Sequence, residues 1–228
     1  MDDYVAGKAW KQDKSLHILE AGFTLFSQRG IESVLMTEVA KAAGVGRMTL
    51  FRYFPTKTEL AIAVAAWKWE EFIEKNSRLM PPEKMERLTG AQYMRFFVDS
   101  FLELYRHHKD ILRFNYDFNS FVRNAQWTQE QKKPYVNIAD SLGRQFHVLY
   151  ERGAEDGTLN TDIPERTMFS STFHIMLAAV TRYAVGLAVV IDSDPESELV
   201  MLADMLMTRF TKQKADQEMI SRSKEENQ

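Results

Sequence analysis

Residues 37–57 read TEVAKAAGVGRMTLFRYFPTK, and this segment is the most informative one about the fold of the N-terminal part of the chain. Its spacing predicts two short helices, Glu38 to Ala43 and Arg47 to Tyr53. Gly44 follows the first helix directly, at a position where a residue with positive φ ends a helix without strain. Ala40 is expected to face the second helix, and its small side chain would let the two helices cross closely. The pattern therefore predicts a helix-turn-helix.

The charge around these two helices is distributed unevenly. No acidic residue occurs from Val39 to Thr58, although the whole chain has 32 acidic and 29 basic residues and a net charge of −3. The basic residues of this segment are Lys41, Arg47, Arg52 and Lys57. A local basic patch in a mildly acidic chain is typical of a surface that binds nucleic acid. Because an Ala-x-x-x-Gly spacing or a basic run alone is common in ordinary helices, the prediction of DNA binding depends on their combination.

The second short helix is predicted to lie in the major groove of DNA and to present the residues that read it. Arginine pairs with guanine edges, and a threonine methyl group contacts the methyl group of thymine. Thr37, as the predicted cap of the first helix, and Lys57 lie at helix starts, where phosphate binding is favoured. The predicted DNA-binding residues are Thr37, Arg47, Met48, Thr49, Arg52, Tyr53 and Lys57.

Residues 16–60 also resemble the DNA-binding domain of the TetR-type bacterial transcriptional regulators. The pattern of that family's first helix is present at Ile18, Leu19, Ala21, Leu25, Phe26 and Gly30. The other matching positions are Val39, Ala40, Ala43 to Val45, Arg47 to Pro55, Lys57 and Leu60. The resemblance is dense over this stretch and does not extend beyond it, where the family has divergent sequences on a shared helical architecture.

The resemblance implies a homodimer whose two N-terminal domains bind a near-palindromic DNA operator, as a repressor that a small molecule releases. By position, it assigns phosphate contacts to Thr37, Thr49, Tyr53 and Lys57, and base contacts to Arg47, Met48 and Arg52. Two positions depart from the family's pattern. Phe51 stands where the family usually has tyrosine, so a phosphate contact by that hydroxyl is lost, and Met48 replaces a residue that is often small.

The composition of the whole chain favours helices. Ten glycines and six prolines among 228 residues are few for a sheet-rich fold with many tight turns. The predicted class is all-α, with a DNA-binding domain over residues 1–75 and a larger helical domain for effector binding and dimerisation over residues 76–228. Pro81 and Pro82 mark the boundary, and residues 214–228 are predicted to be a frayed polar tail. The later predicted helices are Gln92 to His107, Asp110 to Arg123, Tyr135 to Glu155, Glu165 to Ile191 and Glu196 to Lys212.

Aromatic side chains are concentrated in the middle helices of the predicted second domain. Most of these rings are expected in a core, but as a group they favour an apolar or aromatic effector over a highly charged one. Asn115 and Asn119 lie beside one aromatic helical face and would supply polar groups to a pocket. The predicted ligand-binding residues are Phe97, Phe101, Phe114, Phe118, Phe121, Phe146, Tyr150 and Phe173.

The last two predicted helices have apolar stripes and small residues that would let another helix approach. Such a pair forms half of a four-helix bundle, so a second copy could cover it, although the helices could equally cover their own core. The run from Phe173 to Ile191 is near the length of a membrane span, but Arg182 near its middle argues against one. We expect a cytoplasmic protein without a membrane segment, since the N-terminus has no secretory signal and the chain has no cysteine.

Two alternatives stay open at this point. One is a DNA-binding protein without a small-molecule switch. The other is a metal enzyme on a helical bundle, which would need Glu-x-x-His pairs; here Glu103 and His107 are one residue too far apart, and His147 precedes Glu151. His147 and Glu151 could hold a metal ion, but a surface hydrogen bond is the simpler interpretation. We therefore predict no enzymatic activity, no catalytic residue, no metal and no cofactor, with operator DNA, a small effector and a second copy as partners.

Overall fold

The computed structural model describes residues 2–123, 127–188 and 194–212, and for 2–13, 82, 132 and 135 it describes the backbone alone. Helices dominate this part of the chain, which confirms the all-α prediction. They are α1 (Asp2–Arg29), α2 (Met36–Ala42), α3 (Arg47–Tyr53), α4 (Lys57–Leu79), α5 (Pro82–Met85), α6 (Gly90–His107), α7 (Lys109–Arg123), α8 (Gln129–Glu155), α9 (Glu165–Ala184) and α10 (Pro195–Phe210). The described residues contain no strand beyond an isolated antiparallel bridge between Leu159 and Thr211.

The chain divides into two compact units. Unit 1 consists of Met1–Lys75 and Asp110–Ala139, and unit 2 consists of Asn76–Lys109 and Asp140–Gln228. Residues 110–139 therefore belong to the same unit as the N-terminal part of the chain. The predicted domain boundary after residue 75 placed them in the second domain instead. The functions predicted for the two domains stay predictions.

An aromatic face of α7 explains why it belongs to unit 1. The ring centroid of Phe114 lies 5.6 Å from that of Phe23 and 6.5 Å from that of Phe26, both on α1. Phe114 and Phe26 are each only 1% exposed, so they form part of the core of this unit. Burial of each such ring stabilises the unit by roughly 2–3 kcal/mol.

Helix α4 begins at a reciprocal cap and crosses α1 closely. Thr56 is the capping residue: its hydroxyl accepts the N–H of Glu59 at 3.1 Å, and the Glu59 carboxylate accepts the N–H of Thr56 at 3.2 Å. Along the helix, a Cβ placed on Gly22 of α1 would come within 3.1 Å of Val64 Cγ2. A side chain at Gly22 would press against Val64, so the glycine allows α1 and α4 to approach closely.

Unit 2 is built from α6, the part of α8 from Asp140 onward, α9 and α10. A Cβ on Gly90, at the start of α6, would collide with the backbone of Gly153 on α8, so these two helices touch through glycine. The backbone N–H of Gly90 also donates to the Asp156 carboxylate at 2.7 Å. Within the described ranges, no helix combines the length and hydropathy needed to cross a membrane.

Helix α9 ends earlier than the sequence predicts. The expected helix runs to Ile191, which lies outside the described residues, whereas α9 ends at Ala184. Gly186 has a φ of 74°, and the N–H of Leu187 donates to the carbonyl of Arg182 at 3.0 Å. This is a Schellman turn, which a glycine can form even inside an apolar run. The predicted frayed tail, residues 214–228, also lies outside the described residues.

Candidate nucleic-acid interface

Helices α2 and α3 form the predicted helix-turn-helix, joined by residues 43–46. Gly44 has a φ of 65°, and the N–H of Val45 donates to the carbonyl of Ala40 at 3.0 Å, so another Schellman turn ends α2. Ala40 is 3% exposed and Leu50 of α3 is fully buried. The inner faces of both helices are therefore packed, and their outer faces are left for a partner.

The start of α2 differs from the sequence prediction. Thr37 is not the N-cap, because the helix begins one residue before it, with Leu35 at the cap position. Glu38 takes over the capping role, since its carboxylate accepts the N–H of Leu35 at 2.7 Å. Arg29 donates to the same carboxylate at 2.8 Å, and these bonds hold the pKa of Glu38 below its ordinary value. Thr37 is an exposed residue of the first turn.

The outer face of α3 is exposed and basic. Arg47 and Arg52 are exposed, and between them Met48 is 83% exposed, which is unusual for a large apolar side chain. The guanidinium carbon of Arg47 lies 5.5 Å from the centre of the Phe51 ring, and that of Arg52 lies 5.7 Å from the Tyr53 ring. Both guanidinium groups are thus within the range of a cation–π contact with a ring of the same helix.

The other predicted DNA-binding residues flank this face. Thr49 and Tyr53 are half-buried on α3. Lys57, at the start of α4, donates from Nζ to the carbonyls of Ile31 at 3.0 Å and Glu32 at 2.8 Å. An ammonium group has three N–H donors, so these two bonds leave a third for a phosphate oxygen. Lys57 thus has a structural contact that the sequence did not predict.

The segment that follows α1 forms hydrogen bonds with two other helices. Lys57 of α4 donates to the carbonyl of Ile31, and the Asp117 carboxylate of α7 accepts the N–H of Ile31 at 2.5 Å. Gly30 has a φ of 79°, and a Cβ there would lie 3.4 Å from Asp117 Oδ1. Sequence reasoning missed Asp117, because a carboxylate on an amphipathic helix is normally expected to face water.

Residues 18–64, which include α2, α3 and the segment held by Asp117, match the family model described as bacterial regulatory proteins, tetR family. The N-terminal helices of this chain therefore match the DNA-binding domain of the TetR family, and the resemblance stated from the sequence is confirmed. The chain is a DNA-binding transcriptional regulator.

Some relatives match most of the length of this chain at low sequence identity, and others match a shorter part of it at higher identity. The fatty acid metabolism regulator protein of Bacillus subtilis is 22% identical over 86% of this chain and 93% of its own. A helix-turn-helix transcriptional regulator of Mycobacterium tuberculosis is 50% identical, but over 32% of this chain and 33% of its own. The crystal structure of FadR from B. subtilis, in complex with stearoyl-CoA, has a TM-score of 0.64 and 17% identity, and the match covers 85% of this chain and 98% of that one.

Four of the predicted ligand-binding rings come together in unit 2. The ring centroid of Phe97 lies 5.2 Å from that of Phe146, and the centroid of Phe101 lies 5.9 Å from that of Phe173. Phe169 joins them, with its centroid 5.3 Å from that of Phe146. We call these five rings the unit 2 aromatic cluster. Phe169 was absent from the predicted set, although it lies one helical turn before Phe173 on α9.

The other predicted ligand-binding residues lie elsewhere. Phe114, Phe118 and Phe121 belong to unit 1, where the ring centroids of Phe114 and Phe118 are 5.8 Å apart. The predicted set is therefore divided between the two units. Helical periodicity shows which face of a helix is buried, but it does not show which other helix covers that face. Tyr150 of α8 is in unit 2, and its hydroxyl donates to the carbonyl of Ile163 at 2.9 Å.

Proposed function

We propose that this regulator is a repressor that binds a near-palindromic operator as a homodimer and is released by a small apolar or aromatic effector. The observation that carries the DNA-binding site is the outer face of α3. Arg47, Met48 and Arg52 are exposed there, within a segment from Val39 to Thr58 that contains no acidic residue. An exposed basic helix face on a helix-turn-helix suits the major groove.

In this proposal, base edges and phosphates are contacted by different residues. Arg47 and Arg52 pair with base edges, and the Met48 side chain gives an apolar contact to a base, such as a thymine methyl group. The phosphate contacts come from Thr37, Thr49, Tyr53 and Lys57. Phe51 has no hydroxyl and contributes packing against Arg47 instead.

The proposed dimer forms through α9 and α10. On α10, Met201 is 62% exposed and Met205 is 61% exposed, one helical turn apart, and Leu187 after α9 is 48% exposed. Exposed apolar side chains on and beside these two helices support burial against a second copy. Two recognition helices in such a dimer read successive major grooves when they are about one DNA turn, roughly 34 Å, apart.

The proposed effector site is the unit 2 aromatic cluster. Edge-to-face and tilted rings such as Phe97 and Phe146 provide an apolar lining, which suits a hydrophobic effector. The structural relative FadR binds stearoyl-CoA, a ligand with a long apolar chain, which supports the same class here. An effector releases DNA only to the extent that it prefers the DNA-free state of the dimer.

The test of DNA binding starts with selection of random DNA duplexes by the purified protein, followed by sequencing. We expect enrichment of an inverted repeat. On that operator, Arg52→Ala should weaken binding by roughly 1–3 kcal/mol if the arginine reads a base, with little change on non-specific DNA. Arg144→Ala, an exposed arginine on α8 outside α2 and α3, is the matched control and should bind like the wild type.

The outcomes of this test separate the roles of Arg52. An equal loss on all sequences would show that Arg52 contacts phosphate only, and no enrichment by a folded protein would contradict the proposed operator.

The effector is tested on the complex of the protein with labelled operator. Acyl and aromatic compounds are added to this complex, and release of the operator is followed by fluorescence anisotropy. Release by such a compound that Phe173→Leu weakens supports the cluster, and a failure of every compound and of cell extract favours a regulator without a small-molecule switch.

A further inference from the structure

Three metal-ligating side chains converge on the surface of unit 2. His147 and Glu151 lie four residues apart on α8, and Glu165 is in the first turn of α9. The distance from His147 Nδ1 to Glu165 Oε2 is 3.0 Å, and one ligand atom from each of the three residues lies within 4.8 Å of the other two. We call these three residues the His147 cluster.

The backbone around the cluster is fixed by buried neighbours. Phe146 and Leu149 of α8 are fully buried, which sets the rotation of the helix and leaves His147 and Glu151 on its outer side. The Tyr150 hydroxyl donates to the carbonyl of Ile163, two residues before Glu165, at 2.9 Å. The start of α9 is thereby held against α8, and the convergence of the three ligands does not depend on a flexible loop.

We propose that the His147 cluster binds one divalent transition-metal ion, with Zn²⁺ as the probe. Imidazole nitrogen and carboxylate oxygen are both ligands of Zn²⁺, at about 2.0–2.2 Å. Ligand atoms around one such ion are about 3–3.5 Å apart, so the His147–Glu165 distance already fits. His147 and Glu151 are exposed, and a rotamer change of Glu151 closes the remaining distance. Two carboxylates balance the charge of the ion, and water fills its other positions.

A pair on another helix shows what is special about this cluster. His107 Nε2 of α6 lies 3.6 Å from Glu103 Oε2, in the same four-residue spacing on an exposed helix face. Among the described residues, the only group of three ligands close enough for one ion is the His147 cluster. The difference is Glu165, which a second helix supplies. His107 is therefore a matched control for a histidine–glutamate pair without a third ligand.

The experiment uses the full chain without a histidine tag, freed of metal with a chelator. Isothermal titration with ZnCl₂ should show one ion per chain for the wild type, and the ion should raise the melting temperature. Because each removes a ligand, His147→Ala and Glu165→Gln should each weaken binding at least roughly tenfold. His107→Ala should bind like the wild type.

Each other outcome contradicts the proposal. If the wild type shows no stoichiometric binding, or if His147→Ala binds as tightly as the wild type, the cluster is only a surface hydrogen bond. If His107→Ala weakens binding as much as His147→Ala, the ion is held by histidines in general. Circular dichroism of the metal-free variants checks that they fold. If His147→Ala does not fold, Glu165→Gln still tests the proposal, because this substitution preserves the size of the side chain. The proposal is independent of repression and operator binding.

Discussion

The helix-turn-helix and the unit 2 aromatic cluster are organised in opposite ways. In the first, the decisive contacts are local: the turn is closed by a bond from Val45 to Ala40, and Gly44 lies between them. In the second, Phe97, Phe146 and Phe169 come from three helices far apart in the sequence. A local motif therefore determines a backbone conformation by itself, whereas a ring cluster forms only when whole helices pack together.

The tryptophans allow the two regions to be followed separately. All four, Trp10, Trp67, Trp69 and Trp127, belong to unit 1. Their fluorescence reports the unfolding of unit 1, whereas far-ultraviolet circular dichroism reports the helices of both units. The two signals together therefore assign a loss of stability to one unit.

The largest expected effect is in the aromatic cluster. Phe146 is fully buried, so Phe146→Ala should lower the free energy of unfolding by about 3–5 kcal/mol through lost burial and the cavity left behind. Urea unfolding followed by circular dichroism measures it. Val148→Ala, two residues on and 46% exposed, is the control and should change stability by less than about 0.5 kcal/mol. Equal effects of the two variants would contradict the packing of the Phe146 ring inside unit 2.

A smaller loss of stability is expected for a substitution in the turn between α2 and α3, where backbone strain is the only cause. A Cβ on Gly44 would meet no described heavy atom within 4 Å, but its φ is 65°, so Gly44→Ala should cost about 1–2 kcal/mol. Gly46→Ala is the matched control, because Gly46 has similar space and a φ of −69°. Tryptophan fluorescence during urea unfolding measures both. A loss for Gly46→Ala as large as for Gly44→Ala would show that space, not φ, is limiting.

The smallest expected effect concerns the pH dependence of the helix-turn-helix. Hydrogen bonds from Arg29 and Leu35 lower the pKa of Glu38 in the folded protein. Its stabilisation is therefore present above the unfolded pKa and is lost as the pH falls through the folded pKa. Between about pH 5 and pH 3, the wild type should lose slightly more stability than Glu38→Gln. Glu32→Gln, in the exposed segment after α1, is the control, and a pH profile of Glu38→Gln identical to that of the wild type would refute the assignment.

The sequence predicted the parts of the fold that depend on local chemistry. Helix α3 has the predicted bounds, since these depend on residues that are close together in the sequence. The predicted end of α9 was wrong because Gly186 lies in an apolar run that hides a turn. Contacts between distant residues, such as that of Asp117 with Ile31, have no local signal.

The same limit applies to the candidate sites. The exposed basic face of α3 follows from helical spacing and charge, so its residues could be named from the sequence. The ring that packs against Phe114 could not be named from the sequence, because an aromatic helix face can pack against any apolar surface. Glu165 joins His147 only through the fold of α8 against α9.

The contact of Asp117 with the segment after α1 has a consequence for protein engineering. A chimera that grafts only residues 1–75 of this chain onto another effector domain leaves the Ile31 N–H without its carboxylate and Phe23 without the Phe114 ring. Such a graft exposes the core surface of residues 1–75 to water, and the chimera should fold poorly. The portable piece includes residues 110–139 and is discontinuous in sequence. A designer of hybrid biosensors would have to transplant both segments together.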